Sequence, residues 1–255
     1  MTTDLFEGLV QWNVERNGTT RRLPYLYYDV LAIAAVYTAS TNRVRRLLPH
    51  ADLLPIELVP GRCLVAFAGF EYRKTSGTPY NEFNISFLVS HRRRPIPLVT
   101  LARALASRVY PSYVWQLPVT TEHARAGGVD LFGYPKFIAD IQFFQDTNRV
   151  ECTLADAGSE ILRMTGRRLP TKRGKPIRYL SYAIERDVLL TANFVLAPHE
   201  FGESRRKSDL VLQIGTDHAI CQALHGIRLS KHPLIYQFCP RGEMILFPGR
   251  NVRDA

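Results

Sequence analysis

The sequence predicts an α+β chain dominated by antiparallel strands, folded as a β-barrel or sandwich with a few short helices. Three observations carry this. Apolar runs are short and are cut at close intervals by Pro, Gly, Asn and Asp, the residues that make turns. The 13 Phe and 12 Tyr favour a pleated interior, where aromatic side chains pack well. Few segments show the three-to-four-residue apolar spacing of a helix, and many strands with few helices is the pattern of these folds.

Residues 31–37 form an apolar run with β character. Ser40 to Asn42 then offer helix caps, with Val44, Leu47 and Leu48 on one face and Pro49 as the stop. Residues 53–59 and 63–72 read as strands joined by a Pro60-Gly61 turn. A turn at 75–79 leads into a strand at 81–89. Residues 98–107 have helical spacing through Leu98, Leu101 and Leu105. Residues 113–119 are strand-like, and 120–128 read as a capped helical turn that Gly127 and Gly128 terminate. Strands at 137–144, 149–154 and 161–166 make a meander. A basic loop at 168–178 precedes strands at 177–184, 188–196 and 209–214. A helix is expected at 217–229, with Ile220, Leu224 and Ile227 on one face. Residues 234–239 and 243–247 close as a hairpin around Pro240-Arg241-Gly242. The loop at 168–178 is the one plausible boundary. The strands on each side are too few to close separately, so one domain is expected over 1–255.

A chain of 255 residues with 46% hydrophobic content can bury a substantial core. It has no run of 18 apolar residues, so no spanning helix and no membrane role are expected. The N-terminal stretch has acids and no long apolar block, unlike a secretory signal or transit peptide. Cys63, Cys152, Cys221 and Cys239 are scattered without a CxxC pair, and read as reduced cytoplasmic thiols. The net charge of +10 gathers at 91–94, 165–175 and 204–208, each bordered by Pro, Gly or Ser and so read as a solvated loop. No basic helix with base-reading residues, RNP sequence or zinc-finger spacing accompanies them, which argues against a nucleic-acid partner. Steering of an acidic small molecule is the remaining use of that charge.

Lys136 is the residue that stands out. It follows Gly133-Tyr134-Pro135 inside an apolar stretch that includes Leu131, Phe132, Phe137 and Ile138, and lysine is among the residues least often buried. Pro135 fixes its own φ and biases Tyr134 to extended geometry, so the lysine leaves a stiff entry in a defined direction. Aimed outward, it is an ordinary surface lysine at a strand start. Aimed inward, desolvation disfavours the ammonium, and a neutral amine attacks carbonyls to form a Schiff base. Glu82, two residues beyond Tyr80 in a predicted strand, is the candidate carboxylate to pair with it or shuttle protons. His218, Cys221 and His225 share a helical stripe that suits zinc, but no fourth ligand is indicated, and packing on the sheet explains them equally. No nucleophile elbow, P-loop or dinucleotide fingerprint occurs.

Three segments, GTPYNEFNISFLV (77–89), TTEHARAGGVDLFGYPKF (120–137) and GTDHAICQAL (215–224), resemble the acetoacetate decarboxylase superfamily in content and order. The resemblance spans roughly residues 25–250. It implies a closed or cone-like barrel, a Schiff-base lysine at Lys136, an active-site glutamate at Glu82, no metal or other cofactor, and a homo-oligomer. Acetoacetate decarboxylase is itself a familiar example of a lysine activated for nucleophilic attack, so the mechanism comes with the resemblance. The departures are specific. The decarboxylase has a second lysine where this chain has Phe137. It has an arginine near its first core strand, whereas residues 25–37 here hold none. Its second glutamate falls near Ala68, with Glu71 close by.

Two functions are therefore expected. The first is a lyase acting on a small carboxylate-bearing carbonyl substrate by decarboxylation, aldol cleavage or dehydration. Lys136 and Glu82 would be catalytic, with Tyr80, Tyr134, Phe132, Phe137 and Arg73 around the substrate; Arg73 or Arg92 would meet its carboxylate. The second is a non-catalytic binding protein on the same fold, in which Lys136 simply pairs with Glu82.

Overall fold

The computed structural model describes residues 5–254. A hairpin of β1 (Trp12–Arg16) and β2 (Thr19–Leu23) comes first, turning at Asn17-Gly18 with both residues at positive φ. It is followed by β3 (Tyr25–Ser40), α1 (Thr41–Arg45), β4 (Leu53–Pro55), β5 (Glu57–Val59), β6 (Arg62–Thr75) and β7 (Tyr80–His91). Next come α2 (Val99–Ser107), β8 (Val109–Gln116), α3 (Glu122–Phe132), β9 (Asp140–Gln145), β10 (Arg149–Asp156) and β11 (Ser159–Arg167). The chain ends with β12 (Ile177–Glu185), β13 (Val188–Ser204), β14 (Leu210–Ile214), α4 (Ala219–Gly226), β15 (Ile235–Leu246) and β16 (Arg250–Asn251).

Seven strands close a barrel in the order β7, β8, β12, β13, β15, β3, β6, with β6 pairing back to β7. All of these pairs are antiparallel except β8 with β12. A parallel pair needs a long crossover. Here the crossover contains α3 and the β9–β10–β11 meander, so the connection that completes the barrel also carries Lys136. The meander and β14 form a second, four-stranded sheet in the order β14, β11, β10, β9.

The period of two along a strand sorts side chains between two interiors. On β6, Val65 and Phe67 join Val150, Cys152, Leu162 and Met164 in the core between the barrel wall and the second sheet. Ala68, Phe70 and Tyr72 of the same strand point the other way, into a cluster with Tyr27, Tyr80 and Met244. That second cluster lies inside the barrel.

The antiparallel barrel class, the meander and the Pro60-Gly61 turn match expectation. Several elements differ from it. The strand read at 31–37 runs from Tyr25 to Ser40, because burial on both faces hides its period. The predicted terminal hairpin is one strand, β15; Pro240, which has no N–H to donate, sits where the ladder shifts register between Cys239 and Gly242. The helix at 217–229 is shorter, Ala219–Gly226, and starts at an N-cap on His218. Finally, Gly127 and Gly128 do not terminate α3, which runs through both to Phe132; the strand expected from 137 begins only at Asp140. Among the described residues no helix is long and apolar enough to cross a membrane. All four cysteines are buried thiols.

Candidate active site

Local rules deliver Lys136 to the barrel. The Thr121 side chain caps α3 by accepting from Ala124 N at 3.3 Å. Gly133 ends the helix in the left-handed region at φ 65°, and Tyr134 N donates back to Gly128 O at 3.1 Å. Lys136 N then donates to Tyr134 O at 2.7 Å, a three-residue turn around Pro135 that reverses the chain over the helix. The following segment is tied to Val119, which donates to Phe137 O at 2.9 Å and accepts from Ala139 N at 3.0 Å. Val119 also bridges Glu82 near the start of β7. Position 136 is thus laced to Glu82 through one intervening residue.

The side chains complete the link. Lys136 Nζ donates to Glu82 Oε2 at 2.6 Å, with the two side chains 6% and 9% exposed. Glu82 Oε1 accepts from the Tyr72 hydroxyl at 3.0 Å. The Tyr80 ring lies 5.4 Å from Lys136 Nζ, a cation–π contact, and its hydroxyl meets that of Tyr27 at 3.1 Å. Burial, reinforced by the Glu82 carboxylate, holds the phenols of Tyr27, Tyr72 and Tyr80 well above their ordinary range, so all three remain protonated donors. Ser181 donates to Ala192 O at 3.0 Å and is in turn bonded at 2.6 Å to the Tyr134 hydroxyl, which is left as the donor. Phe132 stacks on Tyr134 with ring centroids 5.3 Å apart.

Lys136 stands where two spaces meet. The inner one is the barrel interior; every barrel strand contributes to its wall, including Tyr72, Glu82, Asn84, Ser181 and Met244. The outer one is lined by β2, the start of β3 and α3, through Arg21, Tyr25, His123 and Gly128. Tyr27, Tyr134, Lys136 and Leu246 belong to both walls.

Five of the seven residues singled out in the sequence come together here: Lys136, Glu82, Tyr80, Tyr134 and Phe132. Two do not. Phe137 turns away and packs against the core under the second sheet. Arg73 follows the inward-facing Tyr72, so strand alternation points it out. Its guanidinium donates to Asp29 at 2.9 Å and to Pro240 O at 2.7 Å, and it lines neither space. Arg92 pairs with Asp52 on the surface. The same alternation puts Ala68 inside and Glu71 outside, where it faces Arg73. The His218–Cys221–His225 stripe is divided among separate partners: His218 caps α4, Cys221 donates to Ile161 O, and His225 meets Gly215 O. Sequence reasoning passed over Arg21, Tyr72, Asn84 and Ser181, and left His123 without a role. Asn17-Gly18 was the available signal for the hairpin that carries Arg21.

Residues 14–230 match the family model for acetoacetate decarboxylase (ADC). A search of curated protein sequences finds no match. Among solved structures the chain is similar to an acetoacetate decarboxylase at 20% identity, covering 91% of this chain and 90% of that one with a TM-score of 0.66. It is similar to the acetoacetate decarboxylase of Legionella pneumophila at 16% identity, covering 90% and 87% with a TM-score of 0.64. It is also similar to the enduracididine biosynthesis enzyme MppR, solved in complex with pyruvate, at 12% identity, covering 89% of both chains with a TM-score of 0.64. These structural likenesses support the fold, and the family match extends over most of the sequence: the chain belongs to the acetoacetate decarboxylase family.

Proposed function

We propose that the protein is a lyase that joins Lys136 to the carbonyl of a small oxo acid as a Schiff base. One observation carries this: the lysine's amine is hidden from water, 2.6 Å from a carboxylate, where the outer and inner spaces meet. Pyruvate, found with MppR, is an oxo acid of suitable size and supports the reading.

In the resting site the ammonium is paired and is a poor nucleophile. Glu82 takes its proton across the existing hydrogen bond. The exchange of an ion pair for a neutral amine and acid is favoured by apolar surroundings, where separated charge is costly. The free amine attacks the carbonyl carbon, and the carbonyl oxygen becomes a hydroxyl. Glu82 returns the proton to that hydroxyl, water leaves, and an iminium remains beside the Glu82 carboxylate. The iminium draws electrons from a bond at the neighbouring carbon. Loss of CO2, aldol cleavage and dehydration share that step, and the substrate decides between them. Tyr72, Tyr80 and Tyr134, all protonated, hold the acid and the substrate's oxygens in place.

The same 2.6 Å ion pair favours a second reading, a binding protein in which Lys136 never gives up its proton. A panel of oxo acids, with and without an aldehyde partner, separates the two when assayed for CO2, aldol fragments and dehydration products. The lyase reading predicts turnover that falls at least about 10³-fold in Lys136→Met and about 10²- to 10⁴-fold in Glu82→Gln, with both variants folded. Turnover unchanged in Lys136→Met contradicts it. Saturable binding with no turnover of any panel member favours the binding protein.

A further inference from the structure

We propose that Arg21 is the carboxylate receptor of this site: its guanidinium, set over the outer opening by the N-terminal hairpin, takes the carboxylate of an oxo acid whose carbonyl reaches Lys136. The second half of that statement rests on the Schiff-base reading; the first half stands without it.

The hairpin is fastened to the helix that presents Lys136. Arg16 pairs with Glu185 and also reaches Leu131 O at 3.4 Å. Asn17 Nδ2 donates to Asp130 O at 3.0 Å, and the Thr19 hydroxyl bonds the Asp130 carboxylate. Strand alternation on β2 then turns Arg21 inward with Leu23, while Thr20 and Arg22 stay exposed.

Two neighbouring glycines of α3 receive the two cations. A Cβ at Gly127 would stand 3.5 Å from Arg21 Nε, and one at Gly128 would stand 2.3 Å from Lys136 Cδ. Glycine is a poor residue for a helix interior. At Gly128 it keeps the helix surface low enough for the Lys136 stem to lie across it, while at Gly127 the Arg21 side chain rests at ordinary contact distance. Both side chains therefore cross α3 one residue apart and enter the same space.

The guanidinium is not used up by the fold. Arg21 Nη1 donates to Thr20 O at 2.8 Å, but Nε is buried with no partner, and Arg21 takes part in none of the ion pairs formed among the described residues. A buried, unpaired donor on a cation calls for an anionic acceptor. The outer space supplies none of its own, because no Asp or Glu lines it. His123 stands beside Arg21 in that wall. Burial and the Arg21 charge lower its pKa, so at neutral pH it is uncharged and offers an N–H or a lone pair rather than a second full charge. Arg73, which the sequence suggested for this task, is already committed to Asp29 and Pro240.

Two measurements on the intact protein test the proposal. The first compares borohydride trapping of acetoacetate with trapping of its neutral methyl ester, in wild type, Arg21→Met and Arg21→Lys. The second measures binding of isobutyrate, a carboxylate with no carbonyl and hence no imine chemistry, by calorimetry. Arg21→Met is expected to raise the half-saturating acetoacetate concentration and the isobutyrate Kd about 10- to 100-fold. Trapping of the ester should stay unchanged, and Arg21→Lys should recover part of the loss. Equal losses for acid and ester, unchanged trapping and binding in Arg21→Met, or no isobutyrate binding by wild type would each overturn the assignment. Absence of all trapping in wild type would refute the Schiff-base reading instead, and the isobutyrate arm would still decide Arg21.

Discussion

The Tyr72 hydroxyl donates to Glu82 Oε1 at 3.0 Å, so with Lys136 on Oε2 neither oxygen of the carboxylate is free. The two residues sit on paired strands of the barrel, in the register that sets Phe70 opposite Glu82 and Tyr72 opposite Tyr80. Tyr72→Phe removes one donor from a buried charge and adds nothing to replace it. Stability should fall by about 1–3 kcal/mol, read as a lower urea midpoint with an unchanged slope. An unaltered midpoint would mean that Oε1 draws no stabilisation from the phenol.

Lys136 and Glu82 should behave as a unit in folding as well as in chemistry. Removing either one strands its partner's charge in the barrel, and single loss of a buried partner is destabilising by about 3–5 kcal/mol. The double variant Lys136→Met with Glu82→Leu leaves no charge behind. It should be more stable than Lys136→Met alone, with a non-additive difference of about 1–3 kcal/mol or more in a denaturant-based double-mutant cycle. Additive effects would show that the pair is not coupled.

Gly128 should act on the chemistry through the lysine stem that lies across it. Alanine is the better helix former by about 1 kcal/mol, yet its Cβ would meet Lys136 Cδ at 2.3 Å and Cε at 2.4 Å. The lysine stem must move, and its amine with it. Gly128→Ala should therefore slow Schiff-base formation about 10²-fold, the usual effect of a misplacement near 1 Å, and melt below wild type, because crowding a buried side chain costs about 1–3 kcal/mol, more than the gain in helix propensity. Trapping at the wild-type rate would contradict the packing described for the stem.

The tyrosine cluster gives a pH dependence of definite sign. Burial raises the phenol pKa values of Tyr27, Tyr72 and Tyr80 in the folded protein above those in the unfolded chain. Their contribution to stability is whole below the ordinary value of about 10 and is lost as pH climbs beyond it, because only the unfolded chain releases those protons. The urea midpoint should drop between about pH 9 and 11, and the drop should be smaller in Tyr80→Phe. A midpoint that holds or rises over that range would reverse the inferred sign.

Much of this site was legible before the structure, and the reasons differ by residue. Gly133-Tyr134-Pro135 constrains its own backbone, so a directed Lys136 follows from local rules. Glu82 followed from its strand and from the family resemblance. The strand meander at β9–β11 was marked by turn residues at each end. Lys136 is nonetheless not at a strand entry, as Pro135 suggested, but in the turn between α3 and an extended segment. Phe137 and Arg73 were misjudged for one reason: neighbours along a chain point to opposite sides, and composition cannot say which side is the barrel interior. Gly127 and Gly128 read as a helix stop because glycine often is one; at Gly128 only the lysine stem lying across it shows the other use. Arg21 was invisible because its meaning depends on where a hairpin docks, roughly a hundred residues away in sequence from the helix it covers.

The chemistry proposed for this barrel rests on the amine of Lys136. Wild-type protein incubated with acetoacetate or pyruvate and borohydride, then digested and mapped by mass, measures it directly. The predicted result is a reduced adduct on the peptide holding Lys136, on no other lysine, and absent from Lys136→Met. Adducts spread over surface lysines, or none at Lys136 with either oxo acid, would contradict it.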